Sequence, residues 1–361
     1  MTHVLMFGVG SQPPTFIRRQ IDTLRAAGLQ VSTWEYRTPL QGLLRKVAIH
    51  GRVSFGSILD LPPTKRALLR EADLYHFQWP QGLFEFGPVA RRLGIPTIVS
   101  LRGMAINIQP HTPGNEAYVR NLRRVLPTCS AYHGVSQAIL QEAEKFGLVM
   151  ARARVIYTAL DLSFFAPAPT PPPPEPLQII MIGRLEWVKG YEYAVRVLEQ
   201  VVNRHQIDAR LVIIGDGEDE ERVRFTAADL GVGDRVVLAG KLPPDGVRDM
   251  IHRSHLLLHT ALSEGIANAV VEGMACGLPV VTTRAGGMDE AVGDGIEGFV
   301  VPSRDVPALA EAVARLAHDP DLRQKMGSAG RARALRQFAP DRQGAEFVDL
   351  YRAALHTAGK S

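Results

Sequence analysis

Cysteine is nearly absent from this sequence, which has two in 361 residues, at positions 129 and 276. Two cysteines so far apart in the chain exclude a disulfide framework and a cysteine-based metal site. They favour a reducing compartment, and we therefore expect a cytoplasmic protein. Long hydrophobic runs are absent too, because no apolar stretch approaches the roughly 20 residues that cross a bilayer. The start, Met1-Thr2-His3-Val4, has no basic segment before its first apolar run, so we expect no signal peptide.

Extreme composition is also absent. Hydrophobic residues make up 46 % and charged residues 22 %, which excludes a disordered chain, a coiled coil and a collagen-like repeat. The net charge of +4 hides an asymmetry, since residues 1–165 hold 19 Lys and Arg against 10 Asp and Glu, and the remainder 22 against 27. The basic half favours an anionic partner. No nucleic-acid-binding motif accompanies this charge, so we expect no nucleic-acid partner.

A proline-rich stretch, 166–176, divides the chain into halves of similar size and contains seven prolines. Proline lacks the backbone donor of regular structure, so this stretch should be an extended, stiff linker. The alternative is a surface loop inside one domain. We predict an N-terminal domain over 1–165, the linker, and a C-terminal domain over 177–340. A last helix over 341–361 is expected to pack back on the first domain.

Short apolar runs alternate with amphipathic stretches in both halves. The run Phe16–Ala27, for example, has helical spacing and ends at Gly28. Such alternation predicts an α/β fold with parallel sheets, as two tandem Rossmann-like domains whose ligands bind at the carboxyl ends of the strands. The predicted strands are Val4–Phe7, Gln30–Trp34, Leu74–Phe77, Thr97–Leu101, Ala131–Val135, Gln178–Ile182, Leu211–Ile214, Val236–Leu238, Leu256–His259, Val280–Thr282 and Phe299–Val301.

The first glycine-rich loop follows the first predicted strand and reads Gly8-Val9-Gly10-Ser11-Gln12-Pro13. Pro13 stands where a dinucleotide-binding loop has its third glycine, which disfavours a dehydrogenase. Two interpretations stand: a tight turn between strand and helix, or a loop in which Gly10 and Ser11 contact substrate.

The second glycine-rich loop, Gly183-Arg184-Leu185-Glu186-Trp187-Val188-Lys189-Gly190, follows a predicted strand. A glycine there lets a ligand approach the backbone, and two cations five residues apart suit a diphosphate. The alternative is a pair of solvated surface charges.

A third motif runs from Ser263 to Val280 after another predicted strand. We predict that Ser263 or its neighbour caps a helix reaching Cys276 and that Gly277 ends it. The amides of Gly265, Ile266, Ala267 and Asn268 would then point out of the helix start as an anion site. Glu264 and Glu272 would lie near one side of this helix. The alternative is a buried helix with two incidental glutamates.

Together these motifs resemble glycosyltransferase family 4, retaining enzymes of the GT-B fold that use nucleotide sugars. The resemblance covers nearly the whole chain and is densest in the second half. It rests on Gly183-Arg184-Leu185-x-x-x-Lys189-Gly190, Gly215-Asp216-Gly217, Glu264-x7-Glu272, the segment Val155–Phe165 and the loop Arg284–Glu290.

The resemblance implies two tandem Rossmann-like domains facing a central cleft, the N-terminal one acceptor-binding over 1–165 and the C-terminal one nucleotide-sugar-binding over 177–340. It also implies a role for each motif. Arg184 and Lys189 would hold the donor diphosphate in place of a metal, since no D-x-D pattern is placed to bind one. Glu272 would bind the ribose and Glu264 the donor sugar, with the amides of residues 265–268 nearby. Gly183 and Gly10 would approach the donor phosphates. The Gly8–Ser11 loop, which includes Gly10, would also reach the acceptor, with Ser11 on the acceptor side. The leaving phosphate would take the acceptor proton in a same-face attack, so no cofactor is expected beyond the donor.

One departure from the family pattern concerns a strand end in the first half. Many relatives have a histidine there, but this strand ends Ser100-Leu101-Arg102-Gly103. Arginine stays protonated and cannot act as a general base. Arg102 could still bind a phosphate or an anionic substrate on the acceptor side. His111 follows shortly after and is interpreted as a loop residue.

The segment 40–53 interleaves apolar and basic residues at helical spacing. Such a helix can lie on an anionic membrane, but a core-packed helix fits the pattern as well. The leading prediction is a cytoplasmic hexosyltransferase, at the inner membrane face if this helix binds lipid, that makes a polysaccharide or glycolipid or modifies a small molecule. The alternatives are a sugar-nucleotide epimerase and a non-catalytic nucleotide-sugar-binding subunit.

Overall fold

The computed structural model describes residues 1–34 and 63–359. The chain forms two compact units, one comprising residues 1–159 and 340–361 and the other residues 160–339. Each unit contains one six-stranded parallel sheet with helices, so the predicted tandem Rossmann-like α/β fold is confirmed. The basic segment 40–53 lies outside the described residues.

The sheet of the first unit has the strand order β2-β1-β3-β4-β5-β6. Its four inner strands are buried along their whole length because a parallel sheet covered by helices is buried on both faces, whereas its two edge strands are partly exposed. They are β1 His3–Phe7, β2 Gln30–Trp34, β3 Leu74–Phe77, β4 Thr97–Leu101, β5 Ala131–Gly134 and β6 Ala153–Val155. The sequence prediction missed only the last of these, a three-residue edge strand.

Six α-helices of the first unit lie within residues 1–34 and 63–359. They are α1 Thr15–Ala26, α2 Pro63–Glu71, α3 Pro80–Leu93, α4 Glu116–Val125, α5 Gln137–Glu144 and the C-terminal helix, α13 Pro340–Thr357. The apolar stripe of α13, with Phe347, Leu350 and Tyr351, packs in one buried cluster with Ile17 and Leu24 of α1. The last helix of the chain therefore completes the core of the unit in which the chain begins.

The second unit has the strand order β12-β11-β10-β7-β8-β9, the order of a dinucleotide-binding Rossmann sheet. The strands are β7 Leu177–Ile182, β8 Ala209–Ile214, β9 Val236–Leu238, β10 Leu256–His259, β11 Val280–Thr283 and β12 Gly298–Val301. The helices are α6 Tyr191–Glu199, α7 Glu220–Asp229, α8 Pro244–His252, α9 Asn268–Ala275, α10 Met288–Ala291, α11 Val306–His318 and α12 Pro320–Gln337.

The proline-rich stretch packs against the second unit. His252 Nε2 lies 2.8 Å from the Ala166 carbonyl oxygen, and His255 Nε2 lies 2.8 Å from that of Pro173. Just before the stretch, Arg331 donates to the carbonyl oxygens of Leu162 and Phe165. The change of unit thus lies at residue 160, ahead of the prolines. No helix in 1–34 or 63–359 is both long and apolar enough to cross a membrane.

Candidate functional site

The loops that carry the predicted donor motifs follow two adjacent strands of the second unit. The loop 183–190 follows β7 and the segment 263–267 follows β10, and these strands are neighbours at the centre of the sheet. The connections from β7 and β10 leave toward opposite edges, so this is the topological switch point where open α/β sheets bind ligands. The sheet order therefore brings together two motifs that lie some 75 residues apart in sequence.

Glycines let the backbone pack closely beside β7. A Cβ on Gly215 would lie 1.9 Å from the Gly183 carbonyl oxygen, and one on Gly217 would lie 2.3 Å from that of Leu185. The Leu185 amide donates to the Asp216 carbonyl at 2.8 Å. The Gly215-Asp216-Gly217 motif thus acts locally by fixing the course of the loop after β7.

Gly190 ends this loop in the left-handed conformation, with φ +70°. A Cβ there would lie 2.3 Å from the Thr260 carbonyl oxygen, and the Thr260 hydroxyl donates to the Gly190 carbonyl at 2.8 Å. The Leu262 amide also donates to the Val188 carbonyl at 2.8 Å. These contacts attach the loop that carries Lys189 to the end of β10.

Lys189, Glu264 and His259 form the polar centre of this edge. The Lys189 ammonium donates to Glu264 Oε1, and His259 Nε2 lies 3.3 Å from the same oxygen. The side chains of Lys189 and Glu264 are 20 % and 12 % exposed and that of His259 is 1 % exposed, so water screens these charges weakly. Arg184 differs, because its side chain is 68 % exposed and pairs with Glu186 at 2.5 Å.

The carboxyl of Glu264 is held in its ionised form. Burial raises its pKa, but the nearby His259 side chain and the charge of Lys189 outweigh burial and bring the pKa to about 2. An ionised carboxylate only accepts hydrogen bonds. Glu264 can therefore receive sugar hydroxyls or stabilise positive charge, but it holds no proton to donate near neutral pH.

The helix predicted from Ser263 starts later than expected. Helix α9 begins at Asn268 with Ala267 as its N-cap residue and no side-chain cap, so the prediction that Ser263 or its neighbour caps it is wrong. Glu264 lies in the loop before the helix, and the expectation that it shares a helix side with Glu272 is wrong as well. The Gly287 amide donates to the Gly265 carbonyl at 2.9 Å, so this carbonyl is bonded outside the segment rather than within a helix.

The amides of residues 265–268 nevertheless stand at a helix start. Within the described chain they donate to no backbone or side-chain acceptor, as the first turn of a helix leaves them. Glu272 lies one turn into α9 and is partly buried. Burial and the charge of Glu272 raise the pKa of Cys276 to about 12. Gly277 follows α9 with φ +85°, as predicted for its end.

In the first unit, Gly8 rather than Gly10 is constrained. Gly8 has φ +81°, and a Cβ there would lie 3.0 Å from Cδ1 of Trp79. A Cβ on Gly10 would meet no atom within 4 Å, so the backbone does not require glycine at that position. Gly10 and Ser11 are both exposed. His111 is in an exposed 3₁₀ turn beside Glu142, 2.9 Å away, in agreement with its interpretation as a loop residue.

Two functional candidates escaped the sequence prediction. His259 closes an otherwise apolar strand, and its signal was a polar side chain at the carboxyl end of β10. In the first unit, a buried chain of hydrogen bonds joins His133, Ser100, His76 and Tyr351, each contact 2.8 Å long. His133 Nε2 also lies 2.9 Å from a carbonyl oxygen of Ile156. The two histidines are distant in sequence, and the strand order places them on either side of Ser100 in adjacent strands.

Two family models match consecutive parts of the chain. The model described as Glycosyltransferase Family 4 matches residues 15–164, and the one described as Glycosyl transferases group 1 matches residues 165–333. The chain belongs to glycosyltransferase family 4. The resemblance drawn from the sequence motifs is therefore confirmed.

Curated relatives match along part of their length. A D-inositol 3-phosphate glycosyltransferase of Acidothermus cellulolyticus is 32 % identical over 230 residues, which are 60 % of this chain and 51 % of that protein. A GDP-mannose-dependent alpha-(1-6)-phosphatidylinositol monomannoside mannosyltransferase of Mycolicibacterium smegmatis is 34 % identical over 179 residues, 48 % of this chain and 47 % of that protein. The chain spans about half the length of the curated relatives it matches.

Solved structures share the fold over the whole chain. The sucrose-phosphate synthase of Thermosynechococcus elongatus has a TM-score of 0.83 at 16 % identity, covering 99 % of this chain and 100 % of its own. Anabaena HepE in complex with UDP and glucose has a TM-score of 0.78 at 20 % identity, covering 98 % and 100 %. The GT-B architecture predicted from the sequence is confirmed.

Proposed function

We propose that this protein is a retaining glycosyltransferase that moves a sugar from a nucleoside diphosphate sugar to an acceptor hydroxyl. The observation that carries the proposal is the Lys189, Glu264 and His259 cluster at the switch point of the second unit. By name, one relative uses GDP-mannose and another glycosylates an inositol phosphate, and HepE was solved with UDP and glucose. These names support a nucleotide-sugar donor and a sugar-like acceptor.

The donor diphosphate is assigned to Lys189 and Arg184. Lys189 reaches the switch point on a loop fixed at Gly190, so its ammonium is positioned before any ligand arrives. A diphosphate carries more negative charge than the Glu264 carboxylate and can recruit the ammonium when it binds. Arg184, on the exposed part of the same loop, can exchange Glu186 for a phosphate in the same way. Two cations would then neutralise the nucleoside diphosphate as it leaves.

The sugar ring is assigned to Glu264 and the ribose to Glu272. Once the diphosphate takes the Lys189 ammonium, the ionised Glu264 is left to accept sugar hydroxyls and to face an oxocarbenium-like transition state. His259, at the end of β10, contacts Glu264 rather than the substrate and is assigned as a positioning residue. The unpaired amides of residues 265–268 and the backbone at Gly183 complete the donor side. In the first unit, Gly10 is assigned to the donor phosphates, and Ser11 and Arg102 are assigned to the acceptor.

The chemistry asked of these groups is positioning and charge stabilisation. With its pKa near 2, Glu264 is a poor general base at neutral pH. The acceptor proton is therefore assigned to the leaving phosphate, on the same face of the sugar. This assignment needs no metal ion and no cofactor beyond the donor. A cytoplasmic protein working on a lipid-linked acceptor at the membrane face is compatible with the basic first half.

The test is release of nucleoside diphosphate from a panel of UDP-, GDP- and ADP-sugars, with and without hydroxyl acceptors. We expect one donor to be turned over faster when an acceptor is present, with a product of retained anomeric configuration by NMR and no loss of rate in EDTA. Interconversion of the donor sugar without release would favour the epimerase. Tight binding with no turnover of any donor would refute the enzyme and favour a binding subunit.

A further inference from the structure

A second switch point lies in the first unit, between β1 and β3. The strand order β2-β1-β3-β4 makes the connections diverge there, which is the place where such sheets bind ligands. Gly8 follows β1, Gln78 and Trp79 follow β3, and Arg102 follows β4. The Gln78 amide donates to the Phe7 carbonyl at 3.0 Å. Four loop residues therefore meet at one carboxyl edge.

The Arg102 guanidinium lies against two aromatic rings. Its Cζ lies 4.6 Å from the ring centre of Phe16 and 5.4 Å from that of Trp79. Its Nη2 donates to Oε1 of Gln78 at 2.8 Å. Rings against the guanidinium fix its plane and leave its donor edge for hydrogen bonding.

Two buried donors at this place have no acceptor among residues 1–34 and 63–359. Both Nε of Arg102 and Nε2 of Gln78 are buried, and neither has a hydrogen-bond partner among the described residues. A buried donor without a partner costs free energy in the protein alone. What the pair lacks is an oxygen-rich group that accepts from both side chains.

The charge of Arg102 is not paired by any carboxylate within residues 1–34 and 63–359. The titratable groups that face it are His76 and His133, and burial followed by the Arg102 charge lowers the pKa of His133 to about 3. Burial lowers the pKa of Arg102 to about 10, so it stays charged at neutral pH beside neutral imidazoles. A charge so placed is stabilised most by an anion.

We propose that Arg102 and Gln78 bind a carboxylate or phosphate group of a substrate, so that the reaction selects an anionic substrate. The inference rests on the proposed glycosyl transfer, whose substrate it narrows. Arginine offers planar paired donors that match the oxygens of either group, and Gln78 adds a third donor through Nε2. The anionic group belongs either to the acceptor, as in a polyol phosphate or a hydroxy acid, or to the donor sugar, as in a uronic acid.

Direct binding is tested first, with inorganic phosphate followed by calorimetry and by tryptophan fluorescence, since Trp79 lies against Arg102. Arg102→Gln removes the charge, Gln78→Met removes the amide, and Arg120→Gln is the control at an exposed arginine of α4 in the same unit. We expect phosphate to bind about 10- to 100-fold more weakly to Arg102→Gln, as loss of a charged hydrogen bond predicts. The control should bind as the wild type does. Equal binding by wild type and Arg102→Gln, each folded by circular dichroism, overturns the proposal.

Turnover then identifies the source of the anion. Matched pairs are compared: a polyol with its phosphate monoester, a hydroxy acid with its amide, and a hexose donor with its uronate. We expect the charged member of one pair to have a KM at least about tenfold lower than its uncharged counterpart. Arg102→Gln should abolish that preference and leave the KM of the co-substrate unchanged. No preference in any pair overturns the proposal and leaves glycosyl transfer intact. No turnover with any pair refutes glycosyl transfer, and phosphate binding still tests Arg102 separately.

Discussion

Replacing Lys189 with alanine tests the donor site most directly. In the structure its ammonium pairs with Glu264 in a place where both side chains are largely buried. The variant leaves the Glu264 carboxylate with His259, whose Nε2 is 3.3 Å away. Removing one partner of a fully buried pair costs about 3–5 kcal/mol. Because His259 remains and some water reaches the site, we expect about 2 kcal/mol, which a protein with about 5–15 kcal/mol of stability tolerates.

The effect on turnover should be much larger than the effect on folding. Lys189 is assigned to the charge that develops on the departing diphosphate, where loss of one donor costs about 3–4 kcal/mol. At about 1.4 kcal/mol per factor of ten, kcat should fall about 100- to 1,000-fold. KM for the donor should rise too, because the same ammonium binds the diphosphate in the ground state.

The assay is nucleoside diphosphate release at saturating donor, with circular dichroism to verify folding. Lys189→Arg keeps the charge and should recover part of the rate. Arg196→Ala is the matched control, since it removes a half-exposed cation of the same unit whose pair with Glu192 lies on a helix surface. A folded Lys189→Ala enzyme within about threefold of the wild-type kcat refutes the diphosphate role.

Three further predictions concern stability. Glu264 has a pKa of about 2 in the folded protein and 4.5 when exposed. Its ionisation therefore contributes about 3 kcal/mol to the free energy of unfolding above about pH 4.5, and this contribution is lost as the pH falls toward 2. In urea unfolding, the difference in the free energy of unfolding between wild type and Glu264→Gln should therefore narrow over this pH range. A difference that stays constant contradicts the prediction. Gly190→Ala places a Cβ 2.3 Å from a backbone oxygen at φ +70° and should cost more than about 2 kcal/mol by thermal unfolding. Gly231→Ala, at φ +67° with nothing within 4 Å, should cost only about 1–2 kcal/mol; equal losses refute the steric argument. Tyr351→Phe removes the hydroxyl 2.8 Å from His76 Nδ1 and should cost about 1–3 kcal/mol in chemical unfolding, whereas no loss means that this nitrogen has another partner.

Strand positions followed well from the sequence because apolar runs in parallel sheets are local signals. The predicted strand ends agree with the structure to within two residues, and Gly28 and Gly277 end their helices as expected. The start of α9 did not follow. Ser263 is a good cap residue by type, but the Gly287 amide donates to the Gly265 carbonyl, which a helix starting at Ser263 would use within itself. The helix begins at Asn268 instead. A hydrogen bond to a residue 22 positions away leaves no trace in the local pattern.

For Arg102, the sequence pointed to the residue but did not reveal its neighbours. The sequence singled it out because a histidine was missing from a strand end, but composition and spacing said nothing of its surroundings. Phe16 lies in α1 and Trp79 directly before α3, and only the folded sheet brings their rings to the guanidinium.

The sequence by itself determined the α/β class, the two halves, the family and the motifs that carry Lys189, Glu264 and Glu272. These depend on local periodicity and on residue types at short spacing. The tertiary structure alone decided that β7 and β10 are neighbours, which unites Lys189 with Glu264 and adds His259. It alone shows which residues of the last helix join the first core, namely Phe347, Leu350 and Tyr351. The physical reason is that strand order depends on burial of whole faces, a free energy summed over residues far apart in the chain.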